Sequence, residues 1–246
     1  MLERTKVAVV TGAASGIGAA TARLLAAEGY RVACLDLDGH GLAATLDAIG
    51  TKHRPYCLDL CDEQAVAQVF SEIEGAFGQV DALATCAGVV DTSAFDALSV
   101  ARLRQLLDIN LIGTFSVVQQ AVRLMPHGGR ICTVASVAGI RGGGLAGTLG
   151  YATSKGAVIT LSKGLARELG PRGINVNCVA PAVIRTPMLD DTTRVAGKLE
   201  QLHGMTALRR EGSAEEAAEV IAWLLSGKSS FVSGTTIAVD GGLAML

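Results

Sequence analysis

Tyr151 and Lys155 stand four residues apart in "GYATSKGAV" (150–158), among small residues. Positions i and i+4 share one face of an α-helix, so a phenol and an ammonium would occupy one neighbourhood. A tyrosine works as an acid or base near neutral pH only if its pKa falls from about 10, and a nearby cation favours the phenolate. Taken alone, the pair reads equally as an aromatic on a core edge beside a solvated charge. What surrounds it decides between the two.

Thr11 to Gly18 reads "TGAASGIG", directly after the apolar run "VAVV". A glycine pattern that follows a strand and opens a helix is a phosphate-binding signature. Gly12 suits a tight turn, Gly16 lets backbone approach a pyrophosphate, and Gly18 lets the helix pack closely. The helix N-terminus, with Ser15 and Ile17 flanking Gly16, then offers unpaired N–H groups and a positive dipole end. The spacing is G-x-x-x-G-x-G, and it does not match a Walker loop. Asp36 ends the next apolar run, where a carboxylate can accept from the adenosine ribose hydroxyls and would repel a 2′-phosphate. Leu37 follows it and Ser15 precedes Gly16, so neither place offers a base for that phosphate. NAD(H) is expected over NADP(H), unless Asp36 only caps a turn with Asp38. Asp59 ends a third run and could meet the adenine, or could serve the start of the helix at Asp62.

The elements that must position these residues follow from hydrophobic patterning. "KVAVVT" (6–11), "RVACLD" (31–36), "RPYCLD" (54–59), "VDALAT" (80–85), "RICTVAS" (130–136), "INVNCVA" (174–180) and "TIAVD" (236–240) are mostly apolar, as strands buried on both faces are. Helical patterns lie between them at 16–28, 40–48, 62–76, 99–124 with a break near Gly113, 151–169 and 214–226. Ser213 and Glu216 form a capping-box pattern at the start of the last. The alternation predicts an α/β doubly wound Rossmann fold: a parallel sheet of about seven strands with helices on both faces. One domain spans 1–246, and a more polar segment, about 183–212, covers the substrate. An eight-stranded barrel would need more strand–helix units.

Half of the 246 residues are hydrophobic, 18% are charged and the net charge is −2, which disfavours nucleic acid as a partner. No apolar run approaches the ~20 residues of a membrane helix, and the N-terminal run is too short for a signal peptide. The six cysteines form no C-x-x-C pair and read as reduced thiols of a cytoplasmic protein. No histidine pair has metal-ligand spacing, so no metal is expected. A serine hydrolase would need G-x-S-x-G, which is missing.

With these residues placed, the whole chain resembles the short-chain dehydrogenase/reductase family. "TGAASGIG", "CAG" (86–88), "IN" (109–110), "ASV" (135–137), "YATSK" (151–155), "PAVIRTP" (181–187) and "VDGG" (239–242) fall in the family's order. The resemblance implies a tetrad of Asn110, Ser136, Tyr151 and Lys155 that interconverts a secondary alcohol and a ketone by hydride transfer with NAD. Tyr151 would be the general acid/base. Lys155 would lower its pKa and hold the nicotinamide ribose, Ser136 would bind the substrate oxygen, and the Asn110 side chain would hold a relay water. Leu60, Cys86, Ala87, Gly88, Pro181, Ile184 and Thr186 would complete the cofactor site, Ile184 and Thr186 at the carboxamide. Helices 99–124 and 151–169 would pair across a two-fold axis in a homotetramer. A non-catalytic NAD-binding sensor or scaffold is the alternative, and it need not keep Tyr151 and Lys155.

Three departures stand out. Cys86 replaces the family's usual Asn, and Ala182 a usual Gly. The stretch between Ser136 and Tyr151 is also longer than usual and glycine-rich in "RGGGLAGTLG" (141–150), which predicts a mobile wall beside the substrate. Ala138, Ile140, Val183, Met188 and Leu189 could line an apolar pocket. Arg141, Arg185, Arg194 and His203 are candidate anion contacts that read equally as surface charges.

Overall fold

A computed structural model describes residues 4–144, 148–192 and 197–245. In chain order the elements are β1 (Val7–Thr11), α1 (Gly16–Ala27), β2 (Arg31–Asp36), α2 (Gly39–Ile49), β3 (Arg54–Cys57), α3 (Glu63–Phe77), β4 (Ala82–Thr85), α4 (Val100–Leu107), a π-turn (Asp108–Ile112), α5 (Gly113–Leu124), β5 (Arg130–Val134), α6 (Val137–Arg141), α7 (Leu149–Leu169), β6 (Asn175–Pro181), α8 (Pro187–Thr192), α9 (Lys198–Met205), α10 (Ala214–Leu225) and β7 (Thr236–Val239). The strands form one parallel seven-stranded sheet in the order β3-β2-β1-β4-β5-β6-β7.

Successive strand residues enter opposite layers. Ala8, Val10, Val32 and Cys34 pack with Leu25 of α1 and Ile221 and Leu224 of α10. Val9, Ala33, Leu35 and Ile131 pack with Val66, Phe70 and Ile73 of α3 and Val117, Val118 and Ala121 of α5. Both faces are therefore buried, which is why the central strands carry apolar runs and not an alternating pattern.

The chain leaves the β3 edge and crosses β1 to lay down β4 on its other side. The carboxyl ends of β1 and β4 thus flank a topological switch point, where open α/β sheets bind ligands. The backbone closes there to within van der Waals contact: a Cβ on Gly12 would lie 2.7 Å from the Ala87 nitrogen, and one on Gly18 would lie 2.0 Å from the Gly12 carbonyl oxygen. Gly12 also has a φ of +69°, so both geometry and space demand glycine there.

Element types match the hydrophobic pattern, and the differences are local. β3 and β5 stop two residues short of the expected runs, and the short helix α6 begins immediately after Ser136. The expected helix 99–124 is interrupted by the π-turn, which ends at Ile112, just before Gly113 opens α5. The capping box at α10 forms in both directions between Ser213 and Glu216. Residues 145–147 of the glycine-rich stretch, and Arg194, lie outside the described residues. No helix among the described residues is long and apolar enough to cross a membrane.

Candidate active site

Helix α7 carries Tyr151 and Lys155 on its sheet-facing side, where they are 8% and 4% exposed. They line a cavity with Ser136, Cys86, Gly88, Ile17, Pro181, Ile184 and Thr186, closed by the apolar side chains of Val90, Met188 and Leu189. Eleven residues expected around cofactor or substrate from sequence therefore meet in one place. Val90 and Val134 join them without a signal of their own, since an apolar residue in or just past a strand reads as core.

Burial disfavours both charges in this pocket. It pushes the Tyr151 phenol above its usual value, and the Ser136 hydroxyl, hydrogen-bonded to that phenol, pulls it back down. It also lowers the Lys155 ammonium from 10.5 to about 8, against small opposing effects of Cys178 and Cys86. The Lys155 Nζ donates to the Val134 carbonyl at 2.9 Å. The expected lowering of the Tyr151 pKa by Lys155 is not seen in the free protein. In this structure the phenol is raised, the group that opposes the rise is Ser136, and the ammonium is directed at the end of β5. Ser136 begins α6 as its N-cap, its Oγ accepting from Ala138 N at 3.1 Å and donating to the Pro181 carbonyl at 3.4 Å.

Asn110 has a structural role beside the expected one. Its fully buried side chain is a clamp: Oδ1 accepts from Val89 N at 2.8 Å, while Nδ2 donates to the Val89 carbonyl and to Ser154 Oγ, both at 2.9 Å. Both amide hydrogens are spent, so a relay water would be held by donating to the remaining lone pair of Oδ1. Gly88 lies between this clamp and the lysine. A Cβ there would fall 3.0 Å from Asn110 Oδ1 and 3.1 Å from Lys155 Nζ. Cys86 and Ala87 are held without the family's usual asparagine, because Thr11 accepts from Cys86 N through its carbonyl and from Ala87 N through Oγ1, both at 3.2 Å. Burial raises the Cys86 thiol to about 12, leaving it protonated. Ala182 keeps an ordinary backbone, so its Cβ costs nothing there.

At the glycine loop, Ser15 is the N-cap of α1, but its side chain caps nothing and no acidic residue occupies the first turn. The early amides of Ile17 and Gly18 are thus free to meet an anion, which fits a pyrophosphate. Gly16, with φ +52°, faces Thr186, where a Cβ would lie 3.0 Å from the threonine methyl. Asp36 accepts from Ala14 N and from Asp38 N, each at 3.0 Å, so its carboxylate joins the glycine loop to the turn after β2. Four lone-pair sites leave it further capacity. Asp59 is exposed and accepts from Cys61 N at 2.9 Å, while Asp62 caps α3. Leu60 lies against Gly113, beside the π-turn. Arg185 and His203 both engage Glu211, away from the cavity.

Comparisons with known proteins agree with this geometry. The family described as enoyl-(acyl carrier protein) reductase matches residues 12–244. The chain is 36% identical to the 3-oxoacyl-(acyl-carrier-protein) reductase of Thermotoga maritima, with 98% of each chain covered. Among solved structures, levodione reductase superposes with a TM-score of 0.93 at 30% identity, covering 98% of this chain and 99% of the other. A short-chain dehydrogenase/reductase of Brucella melitensis gives 0.92 at 33%, covering 98% and 97%. A doubly wound sheet with a glycine loop at its switch point defines a nucleotide-dependent oxidoreductase fold. This chain belongs to the short-chain dehydrogenase/reductase family, oxidoreductases that use a nicotinamide cofactor.

The lysine gives a testable linkage. Between about pH 8 and 10.5 the unfolded chain holds a proton that the folded chain has released, so stability rises with pH across that window; below it the burial cost is complete. Lys155→Met removes that cost. Its melting temperature should equal or exceed that of the unaltered protein at pH 7, with the gap narrowing as pH approaches 10.5. A variant several degrees less stable at pH 7 would contradict the assignment.

Proposed function

We propose that the protein is an NAD(H)-dependent oxidoreductase that interconverts a secondary alcohol and a ketone, acting on an uncharged substrate with an apolar flank. The observation that carries this reading is the meeting of Ser136, Tyr151 and Lys155 in one cavity whose remaining walls are largely apolar. Of the candidate anion contacts, Arg185 and His203 are committed to Glu211, and none of the described candidates lines the cavity. Relatives named as reductases of 3-oxoacyl groups and of levodione support a ketone as the oxidised partner.

The dinucleotide, when bound, supplies or accepts the hydride. Gly12, Ser15, Gly16, Ile17 and Gly18 would offer backbone donors to its pyrophosphate, and Asp36 would accept from the adenosine ribose. Asp59 and Leu60 would meet the adenine. Cys86, Ala87 and Gly88 would form the floor, with Pro181, Ile184 and Thr186 serving the carboxamide. Tyr151 gives its hydroxyl proton to the ketone oxygen in reduction and takes it back in oxidation. Ser136 donates to that oxygen and holds it against the phenol. Lys155 sets a cation where a phenolate would develop and reaches ribose hydroxyls, while Asn110 fixes the loop that carries Gly88. NAD is preferred because Asp36 would repel a 2′-phosphate, and its neighbour Leu37 is uncharged and 68% exposed.

Half-exposed Ile112, Phe115 and Leu149 on the π-turn, α5 and α7 support pairing of these helices in a homotetramer. Light scattering that returned a monomer would contradict that assembly.

Steady-state kinetics with both dinucleotides and a panel of secondary alcohols and ketones tests the reading. Tyr151→Phe should keep NAD binding and lower turnover about 100-fold or more. Asp36→Ala should erode the preference for NAD. Unchanged turnover in the first, or a preference for NADP in the unaltered protein, would refute the corresponding part.

A further inference from the structure

Helix α7 is held at its start by a distant part of the chain. Its N-cap is Thr148, and a threonine there ordinarily accepts a hydrogen bond from an amide two or three residues on. The Thr148 hydroxyl makes no such cap. It donates instead to the main-chain carbonyl of Asp91 at 3.1 Å, and the Thr148 amide donates to the same oxygen at 3.1 Å. Upstream, α6 ends in Gly142 and Gly143, with φ of +81° and +131°, and an added Cβ at Gly142 or Gly144 would meet nothing within 4 Å. The start of the helix is therefore tied, by two hydrogen bonds from Thr148, to a loop 57 residues earlier.

That loop is itself pinned. The Asp91 side chain is 8% exposed; its Oδ2 accepts from Arg102 Nε at 2.8 Å and its Oδ1 from Ser93 N at 2.9 Å. The same guanidinium donates to the Val90 carbonyl at 3.3 Å and to Gln105 Oε1 at 2.8 Å. Burial would raise the Asp91 carboxyl, but the Arg102 and Ser93 hydrogen bonds outweigh it and hold the group below its usual value, so the ion pair persists through neutral pH. On either side of Arg102, Leu98 and Leu106 close on Gly150, where a Cβ would lie 2.9 to 3.0 Å from their methyls. Loop and α4 together make a seat for the first turn of α7, which carries Tyr151.

We propose that Asp91, locked by Arg102, is a positioning residue for Tyr151: through Thr148 it fixes where α7 begins, and so keeps the phenol against Ser136. The assignment rests on the reading of Tyr151 as the proton donor and acceptor. Neither Asp91 nor Arg102 lines the cavity. Displacing the first turn would loosen the Ser136–Tyr151 bond, the one contact that pulls the phenol down.

Thr148→Val is isosteric and removes only the hydroxyl bond; Thr148→Ser keeps it; Arg102→Ala unpins the loop. Hydrogen exchange of the first turn of α7, with kcat, KM for NAD and the pH profile of kcat, tests all three. Thr148→Val and Arg102→Ala should exchange faster at 149–152 and lose about tenfold or more in kcat with KM for NAD unchanged. The pH limb assigned to Tyr151 should move to higher pH, and Thr148→Ser should restore all of these. Exchange at 149–152 as slow as in the unaltered protein, or a fall in melting temperature with kcat per folded molecule unchanged, would overturn the proposal. The exchange measurement needs no turnover. A fully active Tyr151→Phe would therefore sink the acid/base reading, while exchange would still decide whether Asp91 holds the helix.

Discussion

A phenol and an ammonium are buried together one helical turn apart, and the rest of the site is arranged around that cost. Low dielectric disfavours either charge alone: it raises Tyr151 and lowers Lys155 to about 8. The same low dielectric strengthens their attraction if both charges appear together. Proton transfer is thus cheapest when phenolate and ammonium form as a pair. The protein keeps the two close, dry and individually uncomfortable, and lets a hydroxyl, Ser136, correct the phenol. Such placement trades stability for function.

The sheet explains why this pair lies beside a dinucleotide site. β1 and β4 part at the switch point, the glycine loop turns so tightly there that Gly18 touches the Gly12 carbonyl, and Thr11 secures the start of the Cys86–Gly88 loop. Gly88 in turn leaves room for Asn110 and Lys155. One line of contacts therefore runs from the glycine turn to the lysine, all through main chain or short side chains that have little freedom to move. Asp91 and Thr148 extend it to the start of the helix that bears the tyrosine.

Much of this was legible in the sequence because the signals are local. Central strands buried on both faces must be apolar, so "VAVV" and "RVACLD" announced themselves; i, i+4 spacing placed Tyr151 and Lys155 on one face; the strand–glycine–helix order marked the loop. What was missed depends on distance or direction. Spacing says that Lys155 shares a face with Tyr151, but not that its amine reaches across to the Val134 carbonyl of β5. A π-turn adds a residue to a helix without any composition of its own, so nothing in "DINLI" foretold that Asn110 would clamp Val89 with its whole amide. The Asp91–Thr148 tie joins residues far apart in sequence, and an aspartate after "GVV" reads as a turn.

Ultraviolet titration of the tyrosines tests the central claim most directly, since the chain has only three, Tyr30, Tyr56 and Tyr151. Burial raises all three in the free protein, so all should ionise above pH 10. Saturation with NAD should bring one phenol down towards neutral pH, and that transition should vanish in Tyr151→Phe. A phenol already ionising near neutrality in the free protein, or none that moves when NAD binds, would contradict the account.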